Sequence, residues 1–323
     1  MSYVQTVAGA AFWLGLATAA FAGGTMEHQS FDSLALGTPL NAMVYIPEGA
    51  PPSAGWPVVY LLHGLGDNET SWRDAGNIVP TLDEMIANHL IAPALVVMPG
   101  AGASWYVDSK AVGGPGDYET AITRDLITAV QSSYPTRKDP GGRAIAGLSM
   151  GGAGALRLAL AHPDLFVAAA ALSPAIWQNV PEAEMGMDAQ SMSLLIDSTY
   201  FHRDDPVDIT EGVDLPPPPP HFGGAFGNPF DPRLFNSLNV FTLLASRIAT
   251  NTPLPAMFVT VGDDDSHKLW RGAIAFYETM QADQRTVQFR VTDGDHSWTV
   301  WRITVRDALS FIDSQWQPAP PAP

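Results

Sequence analysis

Short runs of apolar residues recur along the chain from Leu40 onward, separated by mixed or polar stretches. Several of these runs are continuously apolar, which is typical of strands covered on both faces of a sheet. Val287, Phe289 and Val291 instead alternate with polar residues, which predicts a last strand nearer the sheet edge. The predicted strands are Met43–Ile46, Val58–Leu62, Leu95–Met98, Ala144–Ala146, Val167–Leu172, Met257–Val261 and Val287–Val291.

Helical periodicity occupies several of the intervals between these strands. In 118–134 the apolar residues recur every three or four positions on one face, and Pro135 ends the pattern. The stretches 269–280 and 300–312 show the same repeat. Strands that alternate with helices predict an α/β fold, in which a mostly parallel central sheet carries helices on both faces.

The strongest candidate for chemistry lies in the stretch 143–161, where a predicted strand is followed by a predicted helix, Met150–Ala161. The residues between them, GLSMG at 147–151, fit the G-x-S-x-G pattern, in which a serine occupies a sharp strand-to-helix turn. Glycines two positions before and after the serine let the strand and the helix approach closely. We interpret Ser149 as a nucleophile. The alternative is a glycine-rich turn whose serine only caps the helix.

A nucleophilic serine needs a base, and the base needs a carboxylate that orients it. Sites in open parallel sheets form at the carboxyl ends of the strands. The strand predicted for Met257–Val261 is followed by the acidic trio 263–265, and the last predicted strand is followed by His296. We therefore predict His296 as the base and a member of the trio as its partner, in the Ser, Asp, His chain order of α/β-hydrolases. The trio could instead be a solvated turn or a calcium loop.

A serine hydrolase also needs backbone N–H groups that stabilise negative charge on the carbonyl oxygen. One is expected from Met150, the residue after the nucleophile, and the second from an earlier strand–helix loop. The strand Val58–Leu62 leads into the glycine-containing loop HGLG at 63–66, so the second N–H is assigned to Leu65. His63 is expected to hold this loop rather than to transfer protons.

Composition excludes several classes of function. The 323 residues carry a formal net charge of −17, so we expect no nucleic-acid partner and no attraction to anionic membranes. The chain has no cysteine, which excludes disulfides, a thiolate nucleophile and cysteine-ligated zinc. No pair of histidines has metal-ligand spacing and no EF-hand pattern occurs, so no metal is predicted.

The first 22 residues carry no charged side chain and end in Ala-Phe-Ala, which predicts a signal peptide over 1–22. No basic residue precedes the apolar core of this segment, and the alternatives are an uncleaved anchor or a buried N-terminal segment. No other apolar run is long enough to span a bilayer, so no stable membrane span is expected in the mature protein.

One catalytic domain is expected over 23–317, with a Pro/Ala-rich tail at 318–323. The stretch 177–221 interrupts its regular alternation, being polar and acidic and containing five consecutive prolines at 216–220. Long segments of this kind are often functional loops, and we predict a lid-like insertion over the site. The alternative is a solvated insertion or an oligomer contact.

Five motifs together resemble the esterase D, feruloyl esterase and antigen 85-like branch of the α/β-hydrolases, over roughly Leu40 to Trp316. The motifs are YLLHGLGDNETSW (60–72), SWYVDS (104–109), GLSMGG (147–152), VGDDDS (261–266) and DHSWTVW (295–301). The resemblance implies the α/β-hydrolase fold and a serine ester hydrolase that needs no cofactor. In that family the acid ends a G-x-x-D pattern, which falls here on Asp265, and the base precedes a tryptophan, which falls on His296.

We therefore expect a secreted or periplasmic serine carboxylesterase that acts through an acyl-enzyme on small-molecule or carbohydrate-linked esters, with feruloyl and acetyl esters of carbohydrates as candidates. The alternatives are an acyltransferase that uses the same residues and a non-catalytic binding protein on the same scaffold. The insertion departs from the family's compact pattern, so acyl specificity does not carry over. Aromatic residues expected to bind substrate at the rim, each with core packing as the alternative, are Trp72, Trp105, Tyr106, Trp177 and Trp298.

Overall fold

The computed structural model describes residues 23–187 and 219–318 of the chain. The predicted signal peptide at 1–22, residues 188–218 of the predicted insertion and residues 319–323 of the tail lie outside these ranges. The lid-like role of the insertion therefore stays a prediction. Within the described ranges, no helix is both long enough and apolar enough to cross a membrane.

Eight strands in the described ranges form a single sheet. Along the chain they are β1 (Thr25–Phe31), β2 (Leu40–Ile46), β3 (Val58–Leu62), β4 (Leu95–Pro99), β5 (Arg143–Leu148), β6 (Ala168–Leu172), β7 (Ala256–Gly262) and β8 (Val287–Thr292). Their order across the sheet is β1-β2-β4-β3-β5-β6-β7-β8. β2 is antiparallel to both β1 and β4, and all pairs from β4 to β8 are parallel. The predicted mostly parallel sheet is confirmed, and β1 is an addition that the apolar pattern missed.

Helices cover both faces of this sheet, as predicted. They are α1 (Ser71–Asp74), α2 (Ile78–Ala87), α3 (Tyr118–Thr120), α4 (Ile127–Ser133), α5 (Met150–Ala161), α6 (Pro232–Leu238), α7 (Val240–Ala249), α8 (Trp270–Ala282) and α9 (Trp298–Asp313). A π-helical turn, Ala121–Leu126, joins α3 to α4 within the stretch predicted as one regular helix. Short 3₁₀ turns occur at Lys110–Val112, Pro140–Gly142, Glu182–Glu184 and Pro219–Phe222.

The core consists of two apolar layers, one on each face of the sheet. β3 supplies both, because its alternate side chains point to opposite faces: Tyr60 belongs to the layer of Leu156 from α5, and Val59 belongs to the layer of Leu82 from α2. All five residues of β3 are buried. The continuous apolar runs in the sequence therefore follow from burial on both faces.

The parallel register brings the carboxyl ends of the central strands to one rim of the sheet. Leu62 at the end of β3 pairs with Gly147 of β5, and Gly262 at the end of β7 pairs with Thr292 at the end of β8. The loops that follow β3, β5, β7 and β8 therefore leave the sheet side by side. These are the loops that contain the candidate residues.

Candidate active site

Ser149 lies between β5 and α5 in a strained backbone conformation, with φ 53° and ψ −119°. The flanking glycines make this turn possible. A Cβ on Gly147 would lie 2.4 Å from the carbonyl oxygen of Gly151, and a Cβ on Gly151 would lie 2.6 Å from the carbonyl oxygen of Leu62. A larger residue at either position would force the strand and helix apart, and the serine would move with them.

Ser149, His296 and Asp265 form a continuous hydrogen-bonded chain at the rim. The Oγ atom of Ser149 lies 2.9 Å from Nε2 of His296, and Nδ1 of His296 lies 2.8 Å from Oδ2 of Asp265. A carboxylate only accepts hydrogen bonds, so Nδ1 of the neutral imidazole carries the proton and donates a hydrogen bond to Asp265. Nε2 is then free to accept from the serine hydroxyl. This tautomer is the one that a general base for serine requires.

Asp265 is the member of the acidic trio that faces His296, and it is only 3% exposed. Its second oxygen, Oδ1, accepts hydrogen bonds from the backbone N–H groups of His267 at 2.9 Å and Leu269 at 3.4 Å. These bonds compensate the burial of a charge and fix the direction of the carboxylate. Asp263 and Asp264 are exposed.

Asp263 connects the two loops that carry the acid and the base. Its Oδ1 accepts from the backbone N–H of Gly294 at 3.1 Å, and its own N–H donates to the carbonyl of Thr292 at 3.0 Å. A Cβ on Gly262 would lie 2.1 Å from the Gly294 carbonyl oxygen, so the loops after β7 and β8 also touch directly. The separation of Asp265 and His296 therefore depends on Asp263 as well.

Two aromatic rings flank the imidazole of His296. The rings of His267 and Trp301 both meet it edge to face, with centroids 4.8 Å away. The indole N–H of Trp301 donates to Ser173 Oγ at 3.2 Å, which fixes that ring. Sequence analysis assigned no role to His267 or Trp301. The available signal was their place in the sequence: His267 directly follows the VGDDDS segment with the candidate acid, and Trp301 ends the DHSWTVW segment with the candidate base.

The two residues predicted to supply oxyanion-stabilising N–H groups flank Ser149. Met150 is the first residue of α5, where the N–H has no acceptor within the helix and the helix dipole favours negative charge. Leu65 lines the same cavity as Ser149. Its neighbour Gly64 approaches the serine so closely that a Cβ there would lie 3.5 Å from Ser149 Cβ.

Buried hydrogen bonds hold the loop that contains Leu65. Nε2 of His63 accepts from the backbone N–H of Ala101 at 2.8 Å, so Nδ1 carries the proton and donates to the carbonyl of Gly64 at 2.7 Å. Burial lowers the pKa of His63, in keeping with a neutral ring. The hydroxyl of Tyr106 donates to the His63 carbonyl at 2.9 Å. These contacts fit the loop-holding role expected for His63.

A cavity of about 420 Å³ opens over Ser149 and His296. Three of the five aromatic residues predicted at the rim line it, namely Trp105, Trp177 and Trp298. The cavity wall also contains residues that sequence analysis did not single out, including Asp67 of the loop after β3, His221 and Leu269.

Trp72 and Tyr106, the other two predicted rim residues, are fully buried in the core and are not among the lining residues. The indole N–H of Trp72 donates to the carbonyl of Leu62 at 3.0 Å, and Tyr106 hydrogen-bonds to His63 as described. Trp72 and Tyr106 therefore pack in the core, which was the alternative to substrate contact. The indole N–H of one and the hydroxyl of the other are each bonded to a backbone carbonyl beneath the site.

Trp105 and Trp177 form an aromatic wall of the cavity. Unlike the hydrogen-bonded chain of the three catalytic candidates, this wall is held by contacts between rings. Trp105 has a left-handed backbone, with φ 53°, and its ring lies 5.8 Å from that of Trp177 and 5.0 Å from that of Phe222. The indole N–H groups of both tryptophans are buried without a hydrogen-bond partner among the described residues. A second hollow of about 40 Å³ lies against both rings and is lined further by Arg157.

Comparison with known proteins identifies the family. The chain matches the family described as "Putative esterase" over residues 33–216. It is 31% identical over 254 residues to an acetyl esterase of Caldicellulosiruptor saccharolyticus, covering 79% of this chain and 82% of that protein. It is 33% identical over 149 residues to an endo-1,4-beta-xylanase/feruloyl esterase of Xylanibacter ruminicola, covering 44% of this chain and 20% of that protein. The chain thus spans only a fifth of the length of this second relative.

Solved structures agree on the fold. A ferulic acid esterase superposes with a TM-score of 0.65 at 24% sequence identity, covering 91% of this chain and 99% of that chain. At this identity the likeness shows the architecture alone. The family match covers more than half of the chain, and the acetyl esterase matches along most of both lengths. The chain therefore belongs to the putative esterase family and has the α/β-hydrolase fold.

Proposed function

We propose that the protein is a serine carboxylesterase that hydrolyses carboxylic esters through an acyl-enzyme. The observation that carries the proposal is the hydrogen-bonded chain from Ser149 through His296 to Asp265, at 2.9 and 2.8 Å, on the wall of a cavity large enough for an ester substrate. Family membership and the similarity to an acetyl esterase and a feruloyl esterase support it.

In the acylation half-reaction, Ser149 Oγ attacks the ester carbonyl carbon while its proton passes to Nε2 of His296. The carbonyl oxygen becomes negative and accepts hydrogen bonds from the N–H groups of Leu65 and Met150. Asp265 holds the other imidazole nitrogen and stabilises the imidazolium. The bond to the alcohol oxygen then breaks, the alcohol takes the proton from Nε2, and the acyl group stays on Ser149.

In the deacylation half-reaction, a water molecule gives a proton to Nε2 of His296 and attacks the acyl carbon. The same N–H groups hold the second oxyanion. When the tetrahedral adduct collapses, Ser149 Oγ leaves and takes the proton back from Nε2. The carboxylic acid is released and the starting state of the three residues is restored.

Trp105, Trp177 and Trp298 on the cavity wall support feruloyl and acetyl esters of carbohydrates as the substrate class. Flat aromatic rings pack well against an aromatic acyl group or against the apolar face of a sugar. The names of the two relatives, an acetyl esterase and an endo-1,4-beta-xylanase/feruloyl esterase, point to the same class.

We also infer that residues 1–22 are a signal peptide and that 23–317 form the catalytic domain of a secreted or periplasmic enzyme. The uncharged apolar start and the Ala-Phe-Ala sequence before residue 23 support this. N-terminal sequencing of protein recovered from the medium or periplasm tests it. A mature chain that retains residues 1–22 would contradict the inference.

The proposed reaction is tested with a panel of p-nitrophenyl esters from acetyl upward and with methyl ferulate, combined with labelling by a fluorophosphonate. We expect turnover of at least one ester and a single phosphonyl adduct on Ser149, located by mass spectrometry of its peptide. Product analysis with added alcohol then separates hydrolysis from acyl transfer, because a hydrolase releases mainly free acid. Labelling at another residue, or no turnover across the panel, would contradict the proposal.

A further inference from the structure

Asp67 places a carboxylate on the wall of the catalytic cavity, in the loop that follows β3. It is the one acidic side chain among the described residues that line the cavity, and those residues include no lysine or arginine. No step of the proposed reaction uses it. The histidines His221, His267 and His296 also line the cavity, and among its described lining residues Asp67 is the side chain that contributes a negative charge to the space that a substrate occupies.

The position of Asp67 is close to the reacting serine. Asp67 Oδ2 lies 3.4 Å from the point that a Cβ on Gly64 would occupy, and Ser149 Cβ lies 3.5 Å from that same point. The carboxylate oxygen and Ser149 Cβ are therefore no more than about 7 Å apart. A charged group close to the scissile bond, on the part of the ester that faces Asp67, would therefore come within reach of this carboxylate.

The local backbone holds Asp67 in this place. Its N–H donates to the carbonyl of Gly64 at 3.3 Å, closing a tight turn, and its carboxylate hydrogen-bonds to the side chain of Ser71. The side chain is half-buried, and burial raises the pKa of Asp67. Charges in such partly desolvated positions interact more strongly than charges in bulk water, because less solvent screens them.

We propose that Asp67 makes the cavity selective by charge, so that the enzyme favours esters that carry a cation or neutral hydrogen-bond donors near the scissile bond and disfavours esters that carry an anion there. The inference rests on the proposed function and adds a substrate class to it. A cation or a hydroxyl gains an acceptor at Asp67, whereas a second carboxylate meets like-charge repulsion.

Two matched ester pairs test the charge selectivity, one for each part of the substrate. On the alcohol side, acetylcholine is compared with its uncharged isostere, in which a tert-butyl group replaces trimethylammonium. On the acyl side, the p-nitrophenyl monoester of glutaric acid is compared with p-nitrophenyl valerate. The measured quantity is the ratio of kcat/KM for the charged ester to that for the neutral ester. This ratio does not depend on the fraction of enzyme that is folded.

We expect the Asp67→Asn variant to shift the ratio by about tenfold relative to wild type in the pair whose charged end lies near residue 67. In the acetylcholine pair the shift is a weaker preference for the cationic ester. In the glutaric monoester pair it is a weaker discrimination against the anionic ester. Asp67→Glu keeps the charge and should keep the wild-type sign of preference. Added salt should reduce the wild-type selectivity.

Asp74→Asn is the matched control, since Asp74 lies in the same stretch of chain and is exposed. The substitution changes the net charge by the same amount as Asp67→Asn. It should leave both ratios near their wild-type values. If Asp67→Asn moves neither ratio more than Asp74→Asn does, the charge selectivity is refuted while the esterase proposal stands. If wild type turns over none of the four esters and none of the esters in the general panel, the proposed function itself fails.

Discussion

The two sides of the catalytic cavity are built from different interactions. On the side of Ser149, His296 and Asp265, each polar group meets a specific partner at hydrogen-bond distance. On the side of Trp105 and Trp177, the contacts are between rings 5 to 6 Å apart, and the two indole N–H groups have no partner among the described residues.

This difference separates chemistry from specificity. Hydrogen bonds are directional, so one lost partner on the catalytic side misplaces a proton or leaves a buried charge uncompensated. Ring contacts tolerate more variation in geometry, so the aromatic wall can change shape while the catalytic side is unaffected. Changes on the catalytic side should lower the rate for all esters, and changes on the aromatic side should alter which esters are preferred.

The largest effect is expected from Ser149→Ala, which removes the nucleophile and leaves the fold intact. Ester hydrolysis should fall by at least about 10⁴-fold for every substrate. Steady-state rates are measured alongside circular dichroism, with Ser310→Ala on the exposed face of α9 as the control serine. A folded Ser149→Ala protein with near-native turnover would rule out the catalytic role of Ser149.

Replacement of the orienting acid should have the next largest effect. Asp265→Asn keeps the shape of the side chain but favours the wrong imidazole tautomer, so kcat should fall by about 10³- to 10⁴-fold. The exposed neighbour, in Asp264→Asn, is the matched control and should change kcat by less than about twofold. Asp263→Asn should lie between them, because Asp263 joins the two loops. A large fall in kcat for Asp263→Asn together with a small fall for Asp265→Asn would overturn the assignment of Asp265 as the orienting acid.

A smaller and selective effect is expected on the aromatic wall. Trp177→Ala removes one ring and opens the cavity toward the second hollow, so the ratio of kcat/KM for bulky to small acyl groups should change by about tenfold. Turnover of p-nitrophenyl acetate should continue. Trp316→Ala is the control of the same residue type, because Trp316 is not among the residues that line the cavity. An equal loss on all esters would show that Trp177 serves the catalytic side instead.

The smallest effect is expected at His63, in the loop that contains Leu65. It is a change in the free energy of unfolding with pH. Burial lowers the pKa of His63 below its unfolded-state value of about 6.5, so the folded protein favours the neutral ring. The stability from this preference is fully present above about pH 6.5. It is lost as pH falls below that value toward the folded-state pKa, by at most about 1.4 kcal/mol per pH unit.

Urea unfolding at a series of pH values measures this dependence. The free energy of unfolding of His63→Gln should decline less steeply below about pH 6.5 than that of wild type, because a carboxamide does not titrate there. The matched control is His89→Gln, which changes an exposed histidine, and the difference in slope between the two variants measures the contribution of His63. Identical slopes for wild type and His63→Gln would show that His63 is not the group responsible.

Residues near one another in sequence were the most predictable. The turn at Ser149 depends on Gly147 and Gly151, whose spacing is visible directly in the chain. The parallel sheet follows from alternating strand and helix patterns, and the rule that sites form at strand ends indicated the loops with Asp265 and His296. β1 was not predicted, since a polar edge strand with partly exposed residues lacks a strong apolar pattern.

Aromatic residues were the least predictable. Trp72 and Trp298 are both tryptophans within the family motifs, yet Trp72 is fully buried and Trp298 lines the cavity. Their rings contact each other edge to face at 5.2 Å, so one covers the other. A large apolar ring is equally suited to a core and to a pocket wall, and only its neighbours in space distinguish the two.

The sequence by itself determined the strand-to-helix turn at Ser149, the α/β order of elements and the loops in which an acid and a base would be found. These depend on backbone sterics and on periodicity, which act over a few residues. The family's G-x-x-D pattern pointed to Asp265 among the three aspartates, whereas the tertiary structure decided which aromatic rings face the cavity and that Asp67 lies within about 7 Å of Ser149. Such placements depend on how distant segments pack, because burial and hydrogen-bond partners are set by neighbours in space rather than along the chain.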